Sequence, residues 1–446
     1  MKKEYSDNIK PKLGLFDTIM VAVSLVVGIG IFRTPQIVAS ETGNIILFFT
    51  AWITGGLISL CGGMTFAELG SRKPYAGGFY KLISDAYHPS LAFMLNWLGL
   101  IISSGATFAA VAILSAEYLF PLLPLGFIEQ SLAIKLLALV ITLFLFIVNY
   151  IGIKSGAVVL NLITILKTSL VFLFVIFAFV TPETPVNKIG INSLPESSWF
   201  FPFSLGLISV FFTYGGYQLT MNLAGDIKNP KFNLKWGILV ANIIVIFIYI
   251  SINYGYYRLL GFEEIKNSPL IAADMADVIF GSAGKKIISI AISLSAIGFL
   301  NVMLMHTPRT FYAMTEDKIL PEFFKKVNPK TQAQEFTLIF LSILGIIFIF
   351  LEGRFDKAIN LIMFNDALTI AVVASTIFVF RKRKDSVEYD GFIVPVKNIL
   401  PAIFILFLLL VSFNAFMKDY FAGIMSTLVL LAGFPLYVFL KKMKKK

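Results

Sequence analysis

The first long apolar run, Leu13 to about Ala39, is interrupted in its middle by Gly28-Ile29-Gly30, with Pro35 five residues further on. Two glycines one residue apart and a following proline disfavour one unbroken helix. In lipid such a break exposes backbone N–H and C=O groups that no water can satisfy. It survives only where it is buried in protein or lines a polar cavity. A half-helix N-terminus then favours an anionic group, and open carbonyls favour a cation. The same glycines would also serve a tight helix-packing site. The stretch therefore points either to a solute site in mid-membrane or to close packing.

Apolar runs long enough to span a bilayer recur along the whole chain. Twelve are read, at 13–39, 44–70, 91–117, 132–153, 157–180, 203–225, 236–258, 285–308, 336–352, 358–380, 399–416 and 420–440. The 446 residues are 57% hydrophobic and 14% charged, with a mean hydropathy of +0.84. No soluble globule has that composition. The net charge of +11 follows from topology rather than from a nucleic-acid partner. With the N-terminus inside, 26 of the 37 lysines and arginines fall on cytoplasmic segments and 9 on outer ones. That asymmetry is the positive-inside rule, and twelve spans place both termini in the cytoplasm of a multi-pass protein of the cell inner (plasma) membrane. The first run is long and lacks a small-residue cleavage site, so it reads as a retained span.

Functions that need other chemistry find no support. The one cysteine, Cys61, lies inside the second run, and the two histidines, His88 and His306, are scattered. No zinc site is expected, nor any cofactor. No Walker A loop, G-x-S-x-G elbow or H-E-x-x-H motif occurs, which argues against ATP-driven transport by this chain alone and against an enzyme.

A second break, Phe211-Phe212-Thr213-Tyr214-Gly215-Gly216-Tyr217, lies in the sixth run. It falls where the first would recur if spans 1–5 and 6–10 were inverted repeats. Paired interruptions in corresponding halves are the best sequence pointer to a transporter site. Two further features carry charge into the membrane. Lys167 lies about 16 Å from the inner end of the fifth run, and Asp366 about 15 Å from the outer end of the tenth. Residues so placed face the bundle interior. Glu68, near the inner end of the second run, reads as the partner of a loop lysine or arginine.

Several motifs now fall in one order: GxGIF in the first run, Ala67-Glu68-Leu69-Gly70, Pro74-Tyr75-Ala76-Gly77-Gly78-Phe79-Tyr80, the Tyr214-Gly215-Gly216 run continuing to Asp226-Ile227-Lys228-Asn229-Pro230, and Arg309 through Tyr312-Ala313-Met314 to Leu320-Pro321. Together they resemble the amino acid–polyamine–organocation permeases, most of all the L-type and bacterial amino acid exchanger branch, over about 15–440. Two positions depart from that pattern. Tyr217 stands for a tryptophan, and Gly225 replaces the first of two acids, which leaves Asp226 alone.

The resemblance implies an all-α membrane protein. Twelve transmembrane helices would form a 5+5 inverted repeat with broken helices 1 and 6, followed by two C-terminal helices. The divisions are a cytoplasmic tail 1–12, repeats 13–180 and 203–380, a linker 381–398, helices 11 and 12 at 399–440, and a basic tail 441–446. It implies sodium-independent transport of amino acids, neutral ones first, by exchange or proton symport. A polyamine or cationic amino acid carrier of the same superfamily is the alternative. Gly28, Ile29 and Gly30 would meet the α-carboxylate, and Phe212, Thr213 and Gly215 the α-amine. Phe212 would close over the substrate. Lys167 would stand in the sodium position of sodium-coupled relatives, pin spans one and five together, or couple a proton. Arg33-Thr34-Pro35 is similar to the Arg-x-Pro of neurotransmitter-type transporters, which implies an outer gate formed by Arg33 with Asp366. Asp366 could instead hold a cationic side chain or carry a proton. Segment 118–132, which carries the heavy-chain cysteine in animal members, has no cysteine in this chain. No disulfide-linked heavy chain is therefore expected.

Overall fold

The computed structural model describes residues 13–28, 30–72, 78–125, 127–151, 169–177, 179–182, 199–316, 319–328, 333–352, 355–383, 389 and 391–443. Their helices, in chain order, are α1 Leu15–Val26, α2 Thr34–Thr42, α3 Ile45–Arg72, α4 Gly78–Ala86, α5 Pro89–Leu98, α6 Ser104–Leu119, α7 Gln130–Ile151, α8 Phe200–Tyr214, α9 Pro230–Leu260, α10 Phe262–Asn267, α11 Ile271–Glu316, α12 Glu335–Glu352, α13 Phe355–Lys382, α14 Ile399–Lys418 and α15 Tyr420–Met443. A single bridge, Leu13 to Ile227, is the one piece of β pairing among these residues.

Nine helices among the described residues are long and apolar enough to cross a membrane. The ends of eight of them lie within about six residues of the apolar runs, because lipid permits only segments that satisfy their own backbone. The remaining three expected spans have separate explanations. The first is split at its glycines into α1 and α2. The fifth is described, as helix, only from residue 169. The ninth, in α12, is a shorter apolar helix. The protein is thus an all-helical, multi-pass membrane protein. One run exceeds its expected length. α11 begins at Ile271 in what reads as an outer segment, and the chain turns at Gly281, whose φ of 70° favours glycine.

The two broken stretches sit at the centre of the packing. α1 and α3 lie against α9, α2 lies against α8 and α10, and α8 lies against α3. Behind them Trp52 of α3 is fully buried, with Phe48, Tyr214 and Tyr249 edge-on at 6.3, 5.9 and 6.0 Å. Such pairs add to area burial through the ring quadrupoles. α6 forms the opposite wall, against α11, α12 and α13.

The sequence suggests that spans 11 and 12 are peripheral, and only the second is. α15 lies on α5 and is mostly exposed. α14 packs along α13, and its Phe404, Leu408 and Val411 are fully buried. Phe404 touches the rings of Phe66 and Phe211 at 6.3 and 6.4 Å.

Candidate functional site

The first break has the local chemistry of a helix stopped and restarted. α1 ends at Val26, and Val27 is extended, at φ −68° and ψ 94°. A short 3₁₀ turn spans Gly30–Phe32, and α2 restarts with Arg33 as its N-cap and Pro35 in its first turn. Proline fits there because those N–H groups have no helical partner. The second break mirrors it. α8 ends at Tyr214, Gly215 is extended, and a 3₁₀ segment runs Tyr217–Asp226.

Glycine brings the two breaks together. Gly216 has φ 120°, and a Cβ there would lie 2.3 Å from the Leu25 carbonyl oxygen. A Cβ on Gly30 would lie 3.1 Å from Thr213 Cγ2. Each break therefore approaches the other through a residue that lacks a side chain. Gly28 has more room, with only Val26 O within reach of an added Cβ, at 3.7 Å.

Released carbonyls in this region have defined partners. The Tyr249 hydroxyl on α9 is shared between Val26 O at 2.9 Å and Thr213 O at 3.2 Å, one from each break. Tyr118 of α6 donates to Phe32 O at 2.9 Å, and Tyr256 of α9 to Ile31 O at 3.4 Å. Thr34 donates to Gly30 O at 2.9 Å and meets the Thr213 hydroxyl at 2.7 Å. The Gly216 N–H donates to Gln218 Oε1 at 2.9 Å. The three tyrosines escaped the sequence reading, which followed the glycines. Their signal was present, since a phenol deep in an apolar run needs a polar partner.

On the Arg33 side the site is closed. Arg33 is 8% exposed. Its Nε lies 3.3 Å from Glu117 Oε2, one terminal nitrogen donates to Gln36 Oε1 at 2.5 Å, and the guanidinium lies 5.8 Å from the Phe355 ring centre. Gln36 in turn donates to Lys266 O at 2.9 Å. Phe212 meets the same Phe355 ring edge-on at 6.2 Å. The expected Arg33–Asp366 pair is not made in this structure; Glu117 is the carboxylate that Arg33 has. The reason is register. Arg33 stands at the level of Phe355, and Asp366 is eleven residues further along α13, about 16 Å away by helix rise. Glu117, taken in the sequence as the end of a span, lies at the right level.

Asp366 instead lines a cavity of about 280 Å³ on the other side of the breaks. Its wall includes Phe79, Asn96, Ser103, Thr107 and Gln218. Residues Gly99–Ser103, between α5 and α6, form a π turn. Such turns recur at functional sites, and this one opens space. Nothing lies within 4 Å of where a Gly99 Cβ would be.

Ile29 and Lys167 lie outside the described residues, as do the side chains of Asp226 and Arg309. Glu68 has the partners expected of it, Arg72 at 2.7 Å and Arg381 at 2.6 Å. Among the described residues no group of three His, Cys, Asp or Glu could hold a metal ion.

This geometry of two facing helix breaks is matched by similarity to known proteins. A family model described as amino acid permease matches residues 13–438. The chain is 28% identical to the serine/threonine exchanger SteT of Bacillus subtilis (strain 168), over 98% of each chain. It is 24% identical to the mouse b(0,+)-type amino acid transporter 1, over 91% of this chain and 84% of that one. It is also 24% identical to the human cystine/glutamate transporter, over 96% and 85%. These relatives are transporters, not enzymes. The chain belongs to the amino acid permease family of the amino acid–polyamine–organocation superfamily, and it is an amino acid transporter.

Proposed function

We propose that the protein is a sodium-independent secondary transporter that carries α-amino acids, neutral ones among them, across the plasma membrane by exchange or proton symport. The observation that carries this reading is the meeting of two interrupted helices, with Gly30 against Thr213, Gly216 against Leu25, and Tyr249 bridging both. Free backbone groups in mid-membrane suit the zwitterion that all amino acids share. In this reading the N–H groups of Gly28, Ile29 and Gly30, at the restart of the first helix, receive the α-carboxylate. The α-ammonium sits among the carbonyls near Val26 and those of Phe212, Thr213 and Gly215. A carbonyl oxygen has two lone pairs, so Tyr249 leaves one free on Val26 and on Thr213.

Alternating access follows from the two ends of the site. The Arg33–Glu117 pair, its ring neighbour Phe355 and the lid Phe212 close the outer side. The cavity by Asp366 is the path to the cytoplasm. The other conformation opens the first and collapses the second, by the broken-helix bundle rocking against the rest. Lys167 takes the place of a sodium ion. The basic segments lie inside with both termini, and no cysteine in segment 118–132 ties the chain to a heavy subunit.

Counterflow in proteoliposomes tests this reading. Liposomes loaded with an unlabelled neutral amino acid should take up the labelled one faster than empty ones, equally in sodium and in choline. If uptake is absent without sodium, Lys167 does not replace the ion. If no amino acid accelerates any other and a proton gradient drives none, the transport reading falls.

A further inference from the structure

Four helix ends meet at one face of the membrane. α3 and α13 finish there, at Arg72 and Lys382, and α9 and α14 start there, at Pro230 and Ile399. The segment 391–398, which leads into α14, crosses the end of α3 as a strap. Glu68 accepts from the Val394 N–H at 2.7 Å. The Tyr389 hydroxyl lies 2.5 Å from Ser71 Oγ and donates to Phe392 O at 3.0 Å. Val394 is buried, while Ile393, Val396 and Ile399 are exposed. Apolar side chains at this level are at home on the boundary between acyl chains and headgroups.

Beyond the strap, α3 turns one face outward. Ile53 and Leu57 are exposed, and Cys61 and Met64 are half-buried. Their spacing of four and three sets them on one stripe that ends at Glu68, under the strap. The helices beside the stripe are fixed by two glycines. A Cβ on Gly63 would lie 2.4 Å from Asn242 of α9, and one on Gly62 would lie 2.6 Å from Phe404 of α14. The result is an apolar groove, floored by α3, flanked by α9 and α14, and stopped at one end by the strap.

Cations stand at the stopped end. The Lys235 ammonium of α9 lies 4.6 Å from the Trp236 ring centre and 4.7 Å from that of Phe392, on the strap. Two π faces hold the ammonium in place and leave its charge intact. Trp236 is 40% exposed, as befits an indole at a membrane interface. Lys397 is exposed on the strap itself. Val396 and Lys397 both take the left-handed backbone, at φ 55° and 38°. That conformation is rare for a β-branched residue and needs surroundings that hold it. Here a turn does so, with the Lys397 N–H donating to Val394 O at 3.1 Å and the Ile399 N–H to Val396 O at 3.0 Å.

We propose that this groove binds one anionic phospholipid. Lys235 takes the headgroup phosphate, Lys397 adds its charge at the same level, and the acyl chains lie along the α3 stripe between α9 and α14. Charge complementarity selects the lipid, because a zwitterionic headgroup would bring a further cation beside the two lysines. A lipid seated there braces the strap, and with it the contact of Arg381 on Glu68. The site does not depend on which solute the protein carries.

Native mass spectrometry of the purified full chain, mixed with equal amounts of phosphatidylglycerol and phosphatidylcholine, is the test. Size-exclusion profiles establish that each variant is folded. Wild type should retain phosphatidylglycerol in preference. Lys235→Gln and Lys397→Gln should each lower that preference about fivefold, the loss of one cation near the headgroup. Lys441→Gln is the control. Lys441 lies near the end of α15, 5.6 Å from the Tyr437 ring centre, so it has the charge and the ring without the groove. Its removal should leave the preference unchanged. Inorganic phosphate in large excess should not displace the lipid, because the acyl chains also hold it. Equal retention of the two lipids by wild type overturns the proposal, as does an unchanged preference in Lys235→Gln. Equal losses in Lys235→Gln and Lys441→Gln overturn it in favour of a general attraction to the basic face. Displacement by phosphate overturns it in favour of a site for the free ion.

Discussion

Glu68 and Asp366 are both carboxylates on long apolar helices, and their surroundings are opposite. Glu68 is fully buried and saturated with donors. It accepts from Arg72 Nε at 2.7 Å, from Arg381 Nε at 2.9 Å and a terminal nitrogen at 2.6 Å, and from the Val394 N–H at 2.7 Å. Arg72 also stacks on Tyr389, with its guanidinium carbon 3.9 Å from the ring centre. The cluster ties α3 to the end of α13 and to the segment that follows it. Asp366 lines a cavity, and among the described residues no cation lines it with Asp366. Glu117 stands between these extremes, with Arg33 at 3.3 Å and some exposure of both side chains. A charge whose every partner is built in holds structure together. A charge left open in a cavity has room for a partner from outside.

The ranking can be broken by stability measurements on detergent-solubilised protein. The largest loss is expected from Glu68→Ala, which leaves two guanidinium groups without their shared acceptor, about 3–5 kcal/mol. A variant that melts with the wild type would dissolve the contrast. Glu117→Ala should cost less, about 2 kcal/mol, because the Arg33 pair is longer and partly exposed. The same change should loosen the closed side. In a Cys61→Ser background, a Gln36→Cys thiol should react faster with a membrane-impermeant reagent when Glu117 is Ala. Tyr249→Phe removes one hydroxyl shared by two carbonyls, about 1–2 kcal/mol. The smallest effect is expected from Asp366→Asn, within about 1 kcal/mol, since it orphans no cation among the described residues. A loss at Asp366 as large as that at Glu68 would mean that Asp366 is a structural group.

How far the sequence reaches is clear from the same residues. Span positions were legible because an apolar run in lipid has few alternatives to helix. Both breaks were legible because glycine and proline act locally. An ionic partner for Glu68 was legible in kind, although which arginines supply it was not. Arg33 and Glu117 are 84 residues apart, and only the relative height of two helices pairs them. That Arg33 meets Glu117 here rather than Asp366 was hidden for the same reason, since depth counted along one helix does not fix height against another. Tyr249 meets Val26 across 223 residues and Thr213 across 36. The π turn at Gly99–Ser103 sits in a run that reads as ordinary helix, because one residue of extra winding leaves no mark on composition.

The central claim is that the solute is held where the two breaks meet, and Gly30→Ala tests it most directly. A methyl group there would stand 3.1–3.3 Å from Thr213 atoms, tight enough to push the breaks apart without a gross clash. The measurement is neutral amino acid counterflow by Gly30→Ala beside wild type, at equal amounts of monodisperse protein. The account predicts at least a tenfold fall in kcat/KM, with the protein still folded. Exchange at the wild-type rate would place the solute elsewhere and contradict it.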